Sequence, residues 1–194
     1  MKYGYFGGTF DPIHFAHLLI AETIKDLLLL EKVCFIPAGN PPHKGNQQVT
    51  STNHRLEMLS LAIQDNPKFE LSEIEIKQKE KSYSVNTLRF LNQNMKTENI
   101  FWIIGSDNLH MMHTWREPEE IFKLCQVVVY ERTNYPLADA RSEYRDRSII
   151  LNTPIIDISA SEIRKKVNRN QSIRYLVPKD VEVYIEKNEL YKNQ

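Results

Sequence analysis

Short apolar runs of strand length alternate with stretches of helical periodicity along most of this 194-residue chain. The runs occupy residues 3–6, 33–36, 100–104 and 127–130, and weaker ones lie at 69–76 and 148–151. Helical patterns fall at 15–30, 53–65, 85–95, 118–124, 160–167 and 181–187. Apolar strands that alternate with helices are typical of a parallel sheet covered on both faces. The pattern therefore predicts an α/β protein with a doubly wound parallel sheet, whose ligands bind at the carboxyl ends of the strands.

Length and charge narrow the class of protein. A chain of this length suits a single domain spanning residues 1–194, and we find neither repeats nor a long linker in it. Lys and Arg number 25, as do Asp and Glu, so the formal net charge is zero. Proteins that hold nucleic acid through its phosphates usually carry a basic excess. We therefore expect no nucleic-acid partner, and an anionic ligand must be held by a local site.

Hydropathy and cysteine usage indicate a cytoplasmic protein with no membrane partner. Mean hydropathy is −0.47, and charged residues interrupt the most apolar stretch, 15–30, which argues against a membrane span. Residues 1–6 lead straight into glycines and do not resemble a signal peptide. The two cysteines, Cys34 and Cys125, lie in apolar runs and are expected to be buried thiols rather than catalytic groups.

A glycine pair and two histidines follow the first predicted strand. Gly7 and Gly8 allow a sharp turn and a close approach of backbone N–H groups to an anion. His14 and His17 are three residues apart at the start of a helical pattern, which would place both imidazoles on one side. A single histidine here would most simply be a core or surface residue. Two of them beside a helix N-terminus predict a phosphate site.

A second candidate anion site lies at residues 158–166. Ser159 and Glu162 have the spacing of a capping box, so a helix is expected to begin here. Capping does not account for Ser161 in the first turn or for Arg164 one turn further on. A hydroxyl and a guanidinium near free backbone N–H groups suit a polyphosphate, because arginine can bind two phosphate oxygens at once.

These motifs carry a resemblance to a known family. The segments GGTFDPIHxxH from Gly7 and ISxSxIR from Ile158 resemble the signatures of the nucleotidylyltransferase superfamily. PPHK at 41–44, KSYSVNT at 81–87 and IGSD at 104–107 followed by Trp115 are similar to the bacterial nicotinate-nucleotide adenylyltransferases. The likeness extends to LVP at 176–178 and VYI at 183–185, so it covers nearly the whole chain.

The resemblance implies a Rossmann-like nucleotidyltransferase fold with C-terminal helices. It also implies transfer of AMP from ATP to nicotinate mononucleotide, which gives nicotinate adenine dinucleotide and pyrophosphate in NAD biosynthesis. Mg²⁺ would enter with ATP, held by phosphate and water rather than by protein ligands. Assembly into a homo-oligomer stays open.

The same resemblance implies a set of site residues. The phosphate-handling groups would be His14, His17, Lys44 and Arg164. Further ATP contacts would come from Gly7, Gly8, Thr9, Phe10, Gly105, Ser106, Asp107, Ile158, Ser159 and Ser161. The mononucleotide pocket would be built from Lys44, Tyr83, Thr87, Trp115 and Arg116, with the indole of Trp115 under the pyridine ring and the hydroxyl of Thr87 on the carboxylate. The chain departs from the family pattern at Ala16, Asn86 and Ala160, and Asn86 removes a charge near this pocket.

Three alternatives remain at this point. One is another adenylyltransferase of the superfamily, acting on nicotinamide mononucleotide or on phosphopantetheine. Another is a metal-binding regulatory module, because the His14/His17 pair is repeated at His110 and His113. The third is a nucleotide sensor without turnover.

Outside the motifs we expect charged side chains to be solvated. Arg55 and Glu57 are expected on the outer face of a helix. Glu73, Glu75 and Lys77 are expected on the solvent-exposed face of a strand.

Overall fold

The computed structural model describes residues 2–40, 49–77, 81–94 and 99–192. Six parallel strands form one sheet in the order β3-β2-β1-β4-β5-β6. The strands are β1 (Lys2–Gly8), β2 (Lys32–Pro37), β3 (Phe69–Leu71), β4 (Asn99–Gly105), β5 (Gln126–Tyr130) and β6 (Ile149–Leu151). The predicted doubly wound parallel sheet is therefore confirmed.

Eight α-helices connect and cover these strands in the described part of the chain. They are α1 (Phe15–Leu28), α2 (Thr52–Ile63), α3 (Ser84–Asn94), α4 (Ser106–His110), α5 (Pro118–Leu124), α6 (Ser142–Arg145), α7 (Ala160–Asn168) and α8 (Lys179–Lys187). None of them combines the length and the apolar character that a membrane crossing requires.

Alternating side chains of the sheet build two cores. One face of the sheet, with Phe6 and Phe35, packs against α1, α2, α7 and α8. The opposite face, with Trp102 and Ile104, packs against α3, α4, α5 and α6. Since both faces are covered, the central strands are apolar along their whole length, which is why they appear as uninterrupted runs in the sequence.

The strand order reverses direction between β1 and β4. The chain winds outwards from β1 to β3, crosses over, and winds outwards again from β4 to β6. Loops that leave β1 and β4 therefore turn away from each other and leave a crevice at the carboxyl edge of the sheet. Gly8 and Gly105 end these two strands, so both candidate glycine motifs lie at this crevice.

Several predicted elements differ in extent from the observed ones. The strand predicted over 69–76 ends at Leu71, because residues 74–77 form a turn closed by the N–H groups of Ile76 and Lys77 on the carbonyl of Glu73. Helix α4 was not predicted. The irregular segment 133–147 contains a short 3₁₀ helix at Leu137–Asp139 as well as α6.

Buried polar groups hold the turn between β1 and α1. Asp11 is 2% exposed, and its carboxylate accepts hydrogen bonds from the hydroxyl of Tyr191 at 2.8 Å and from the N–H of Thr50 at 3.1 Å. The guanidinium of Arg164 donates to the carbonyl of Asp11 at 2.7 Å. The turn is thus tied to α7, to the segment before α2 and to the C-terminal residues.

Arg55 ties together the same region and was wrongly predicted to be solvated, whereas Glu57 is exposed as expected. The Arg55 side chain is 1% exposed. It donates to the carbonyls of Thr9 at 3.0 Å, Ala38 at 2.8 Å and Thr50 at 3.0 Å. One side chain therefore joins the loops that follow β1 and β2 to the start of α2.

Removal of the Tyr191 hydroxyl tests the contribution of this network to stability. Tyr191→Phe leaves one buried carboxylate oxygen of Asp11 without its donor, so we expect the free energy of unfolding to fall by about 1–3 kcal/mol. Urea unfolding measures this change. Tyr175→Phe is the matched control, because the Tyr175 side chain is 81% exposed. Equal stability of the two variants would contradict the expectation.

Candidate active site

The two histidines lie side by side at the crevice. His14 directly precedes α1 and His17 lies in its first turn, so their rings stack with centroids 3.6 Å apart and an angle of 19° between planes. The rings of Phe6 and Phe10 contact His17 edge to face. The predicted juxtaposition of the two imidazoles is present, with His14 at the capping position rather than within the helix.

Hydrogen bonding selects one tautomer of His17. The backbone N–H of His14 donates to Nδ1 of His17 at 3.3 Å, so Nδ1 carries a lone pair. In a neutral imidazole the proton then lies on Nε2, and that N–H is the group His17 can offer to a ligand.

Burial keeps both histidines neutral. It is the main cause that lowers the pKa of His14 to about 3, and the positive charge of Arg132 adds to it. For His17, burial again is the largest cause of a pKa well below the usual value, followed by His14 and Arg132. The pair can therefore offer neutral N–H donors rather than fixed positive charge.

Fixed positive charge comes from Arg132, which the sequence analysis did not single out. Arg132 follows β5, and its guanidinium donates to Asp107 at 3.0 Å while its backbone N–H donates to the hydroxyl of Ser106 at 2.9 Å. A side chain at Gly105 would collide with this pair, since its Cβ would lie 2.4 Å from Oδ1 of Asp107. The motif from Gly105 to Asp107 therefore anchors Arg132 beside the histidines.

A narrow pocket lies against the histidine pair. It is lined by His14, His17, Tyr130, Arg132 and the segment 154–158, and its volume is about 20 Å³. This volume holds little more than one water molecule. A nucleoside can enter only if the lining residues move apart.

The second anion motif is folded as its capping pattern predicts. The hydroxyl of Ser159 accepts from the N–H of Glu162 at 3.3 Å at the start of α7, and Ser161 is exposed on the first turn. Arg164 reaches the turn after β1 through its bond to the carbonyl of Asp11. The two anion motifs are therefore directly connected, through residues 153 positions apart in sequence.

A wider cavity opens on the other side of Gly7 and Gly8. Its volume is about 160 Å³, which fits an aromatic ring, and aromatic and polar side chains line it. The lining includes Gly7, Gly8, Thr9, Glu75, Ser82, Tyr83, Ser84, Trp102, Trp115 and Arg116. The guanidinium of Arg116 lies over the ring of Tyr83, 5.1 Å from its centroid. Three of the residues predicted for the mononucleotide pocket thus meet in one place.

Thr87 is placed differently from its predicted role. It is fully buried, and its hydroxyl donates to Oε1 of Glu75 at 2.7 Å. Thr87 is therefore not among the residues that line the cavity, whereas Ser84, at the N-terminus of α3, is. Lys44, assigned to both substrates, lies outside the described residues.

Glu75 was wrongly predicted to face solvent. Its side chain is 5% exposed, and burial raises the pKa of its carboxyl, an effect opposed by hydrogen bonds to Thr87 and Ser82. The hydroxyl of Ser82 also accepts from the N–H groups of Gly39 and Asn40. Alternation of charge and apolar residues over 73–77 suggested a strand, but the turn in this segment directs Glu75 inwards.

Comparison with known proteins identifies the family of this chain. A family model described as Cytidylyltransferase-like matches residues 5–166. A protein of Thermomicrobium roseum named "Probable nicotinate-nucleotide adenylyltransferase" is 40% identical, with 98% of this chain and 92% of that protein covered. A protein of the same name from Caldicellulosiruptor saccharolyticus is also 40% identical, with 99% and 100% covered.

A solved structure shows the same fold. The nicotinic acid mononucleotide adenylyltransferase of Plasmodium falciparum, complexed with NaAD, superposes with a TM-score of 0.83 at 20% identity, with 98% of this chain and 97% of that chain covered. The fold and the paired histidines at the strand ends define a nucleotidyltransferase. The chain belongs to the nicotinate-nucleotide adenylyltransferases of the Cytidylyltransferase-like family.

The low pKa of His14 predicts a stability that depends on pH. In the unfolded chain, His14 binds a proton as the pH falls below its ordinary pKa of 6.5. In the folded protein, His14 does not bind this proton until about pH 3. The free energy of unfolding therefore falls as pH falls through this window, and His14 contributes about 2 kcal/mol of the loss between pH 7 and pH 5. The lowered pKa of His17 changes the free energy of unfolding in the same direction.

Urea unfolding of His14→Asn at the two pH values measures this contribution. The variant should lose about 2 kcal/mol less than the wild type between pH 7 and pH 5. His113→Asn, at an exposed position, should follow the wild type. Parallel pH dependence of His14→Asn and the wild type would show that folded His14 titrates normally.

Proposed function

We propose that this chain transfers AMP from ATP to nicotinate mononucleotide, with formation of nicotinate adenine dinucleotide and pyrophosphate. The observation that supports it most directly is the position of Gly7 and Gly8. The preceding residue of β1, Phe6, contacts His17, while Gly7 and Gly8 line the aromatic cavity. A nucleotide on one side and a pyridine ring on the other would meet at the glycine turn.

The reaction needs orientation and charge stabilisation, not a protein nucleophile. A phosphate oxygen of the mononucleotide attacks the α-phosphorus of ATP, the new P–O bond forms, and the bond to pyrophosphate breaks. Catalysis then depends on holding both phosphates in line and on donors aimed at the developing charge. His17 offers its Nε2 proton for this role, and His14 lies next to it.

Cationic and hydroxyl groups from other elements complete the phosphate site. We assign Arg164 and Ser161 at α7, together with Lys44 and Arg132, to the triphosphate. Among the described residues no three His, Cys, Asp or Glu side chains are grouped to hold a metal ion. We therefore propose that Mg²⁺ arrives as MgATP, with phosphate oxygens and water as its main ligands.

The second histidine pair has structural partners. His110 bonds the carbonyl of Pro136, and His113 bonds the carbonyl of His110. Among the described residues, neither histidine pair is grouped with a third His, Cys, Asp or Glu side chain that could help to hold a metal ion. The transferase is therefore favoured over the metal-binding module.

The cavity favours an acidic pyridine. Tyr83 and Ser84 place the N-terminus of α3 at its wall, where the helix dipole and free N–H groups attract an anion. Arg116 adds a positive charge, and Trp115 offers a flat face for the ring. We propose selection of nicotinate over nicotinamide mononucleotide on this basis. We further propose that ATP and nicotinate mononucleotide bind in the cytoplasm, without a nucleic-acid or membrane partner, and leave the homo-oligomer open.

A pyrophosphate-release assay with MgATP tests the proposal. Nicotinate mononucleotide should be used in preference to nicotinamide mononucleotide and to phosphopantetheine. His17→Ala should lower kcat about a hundredfold or more, because one donor to developing charge contributes roughly 2.7–4 kcal/mol.

His54→Gln serves as the control, since the ring of His54 bonds the hydroxyl of Tyr184 on α8, outside both pockets. Near-normal turnover of folded His17→Ala would remove His17 from the mechanism. ATP binding without turnover on any of the three acceptors would indicate a nucleotide sensor.

A further inference from the structure

The N-terminus of α3 has free backbone N–H groups and lies at the wall of the aromatic cavity. The carbonyl of Tyr83 accepts from the N–H groups of Asn86 at 2.9 Å and Thr87 at 3.3 Å, so the helix begins at Ser84. In the part of the chain that the structure describes, the N–H groups of Ser84 and Val85 have no acceptor. Tyr83 and Ser84 line the cavity, so recognition of an acid there depends on where this helix end is held.

The carboxylate of Glu75 bonds this helix end at two places. The hydroxyl of Thr87, in the first turn of α3, donates to Oε1 of Glu75 at 2.7 Å, and both side chains are buried. The hydroxyl of Ser82, two residues before the helix, donates to the same carboxylate. An ionised carboxylate only accepts hydrogen bonds, so it is suited to hold two hydroxyl donors at once. Glu75 therefore spans the point at which the chain enters α3.

Ser82 extends this connection to the loop after β2. Its hydroxyl oxygen accepts from the N–H groups of Gly39 at 3.0 Å and Asn40 at 3.1 Å, and its own backbone N–H donates to the carbonyl of Asn40 at 3.0 Å. Together with the donation to Glu75, these bonds use the one proton and both lone pairs of the hydroxyl. A side chain at Gly39 would collide with the main chain of Glu75, since its Cβ would lie 2.3 Å from the carbonyl oxygen.

We propose that Glu75 is a positioning residue for substrate specificity, which fixes the N-terminus of α3 so that its free N–H groups meet the acidic substituent of the pyridine ring. This inference rests on the function proposed above. Glu75 acts through Thr87 and Ser82 and need not touch the ligand. A helix end that is free to shift would bind the substituent less well, because hydrogen bonds depend steeply on distance and angle. A carboxylate would lose more than a neutral amide, since its bonds to N–H groups are stronger.

Two variants loosen the helix end in different ways. Glu75→Gln replaces one accepting oxygen with an NH₂ group and keeps the size of the side chain, whereas Thr87→Val removes a donor and keeps its shape. Both should raise KM for nicotinate mononucleotide about tenfold, with little change in kcat or in KM for ATP. The effect should be smaller for nicotinamide mononucleotide and absent for the pyridine mononucleotide without a substituent.

Thr87→Ser is the matched control, because it keeps the hydroxyl that donates to Glu75 and loses only a methyl group. It should retain the wild-type ratio of kcat/KM for the acid to that for the amide. Equal losses with all three acceptors in Glu75→Gln and Thr87→Val, or lower stability at an unchanged ratio, would overturn the proposal. Failure of the wild type to use any pyridine mononucleotide would instead refute the proposed function.

Calorimetric titration without ATP gives a readout that does not depend on turnover. Glu75→Gln and Thr87→Val should bind nicotinate mononucleotide about tenfold more weakly than the wild type and Thr87→Ser do. All four proteins should bind the unsubstituted mononucleotide equally well. Unchanged affinity for the acid in either folded variant contradicts the proposal, so one variant decides even when the other does not fold.

Discussion

The buried bonds of Asp11 and Arg55 are the constraint on which the site depends. Asp11 accepts from Tyr191 and Thr50, and Arg55 donates to the carbonyls of Thr9, Ala38 and Thr50. Together they join the turn after β1 to the C-terminal residues, to the end of β2 and to the start of α2. A turn held in this way keeps the histidines in one orientation before any ligand arrives, which is what catalysis by positioning requires.

Burial gives these histidines a particular chemical character. A pair of imidazolium ions would attract ATP, but two stacked rings among Phe6, Phe10 and Arg132 cannot both be charged. Because the two histidines stay neutral, the positive charge at the site must come from other side chains. In the proposed mechanism, Arg132 and Arg164 supply the charge that attracts phosphate, while the histidines supply neutral N–H groups. A chain with zero net charge can therefore bind a polyanion through one local cluster.

Local patterns predicted much of this structure, because they depend on neighbours in sequence. The central strands are apolar runs, and the cap of α7 is encoded by Ser159 and Glu162. Arg55 and Glu75 were wrongly predicted because their partners lie on other elements of the fold. A charged residue on an amphipathic helix looks solvated until the carbonyls that surround it are known.

The central claim is that the turn presents His17 as a neutral donor through Nε2. Long-range ¹H–¹⁵N NMR of the histidine rings, recorded at neutral pH on the ligand-free protein, tests it most directly. We predict that Nδ1 of His17 has the shift of an unprotonated nitrogen and Nε2 that of a protonated one, and that this pattern persists as the pH falls through 6.5, the ordinary pKa of histidine. A protonated Nδ1, or a His17 that titrates near its ordinary pKa of 6.5, would contradict it.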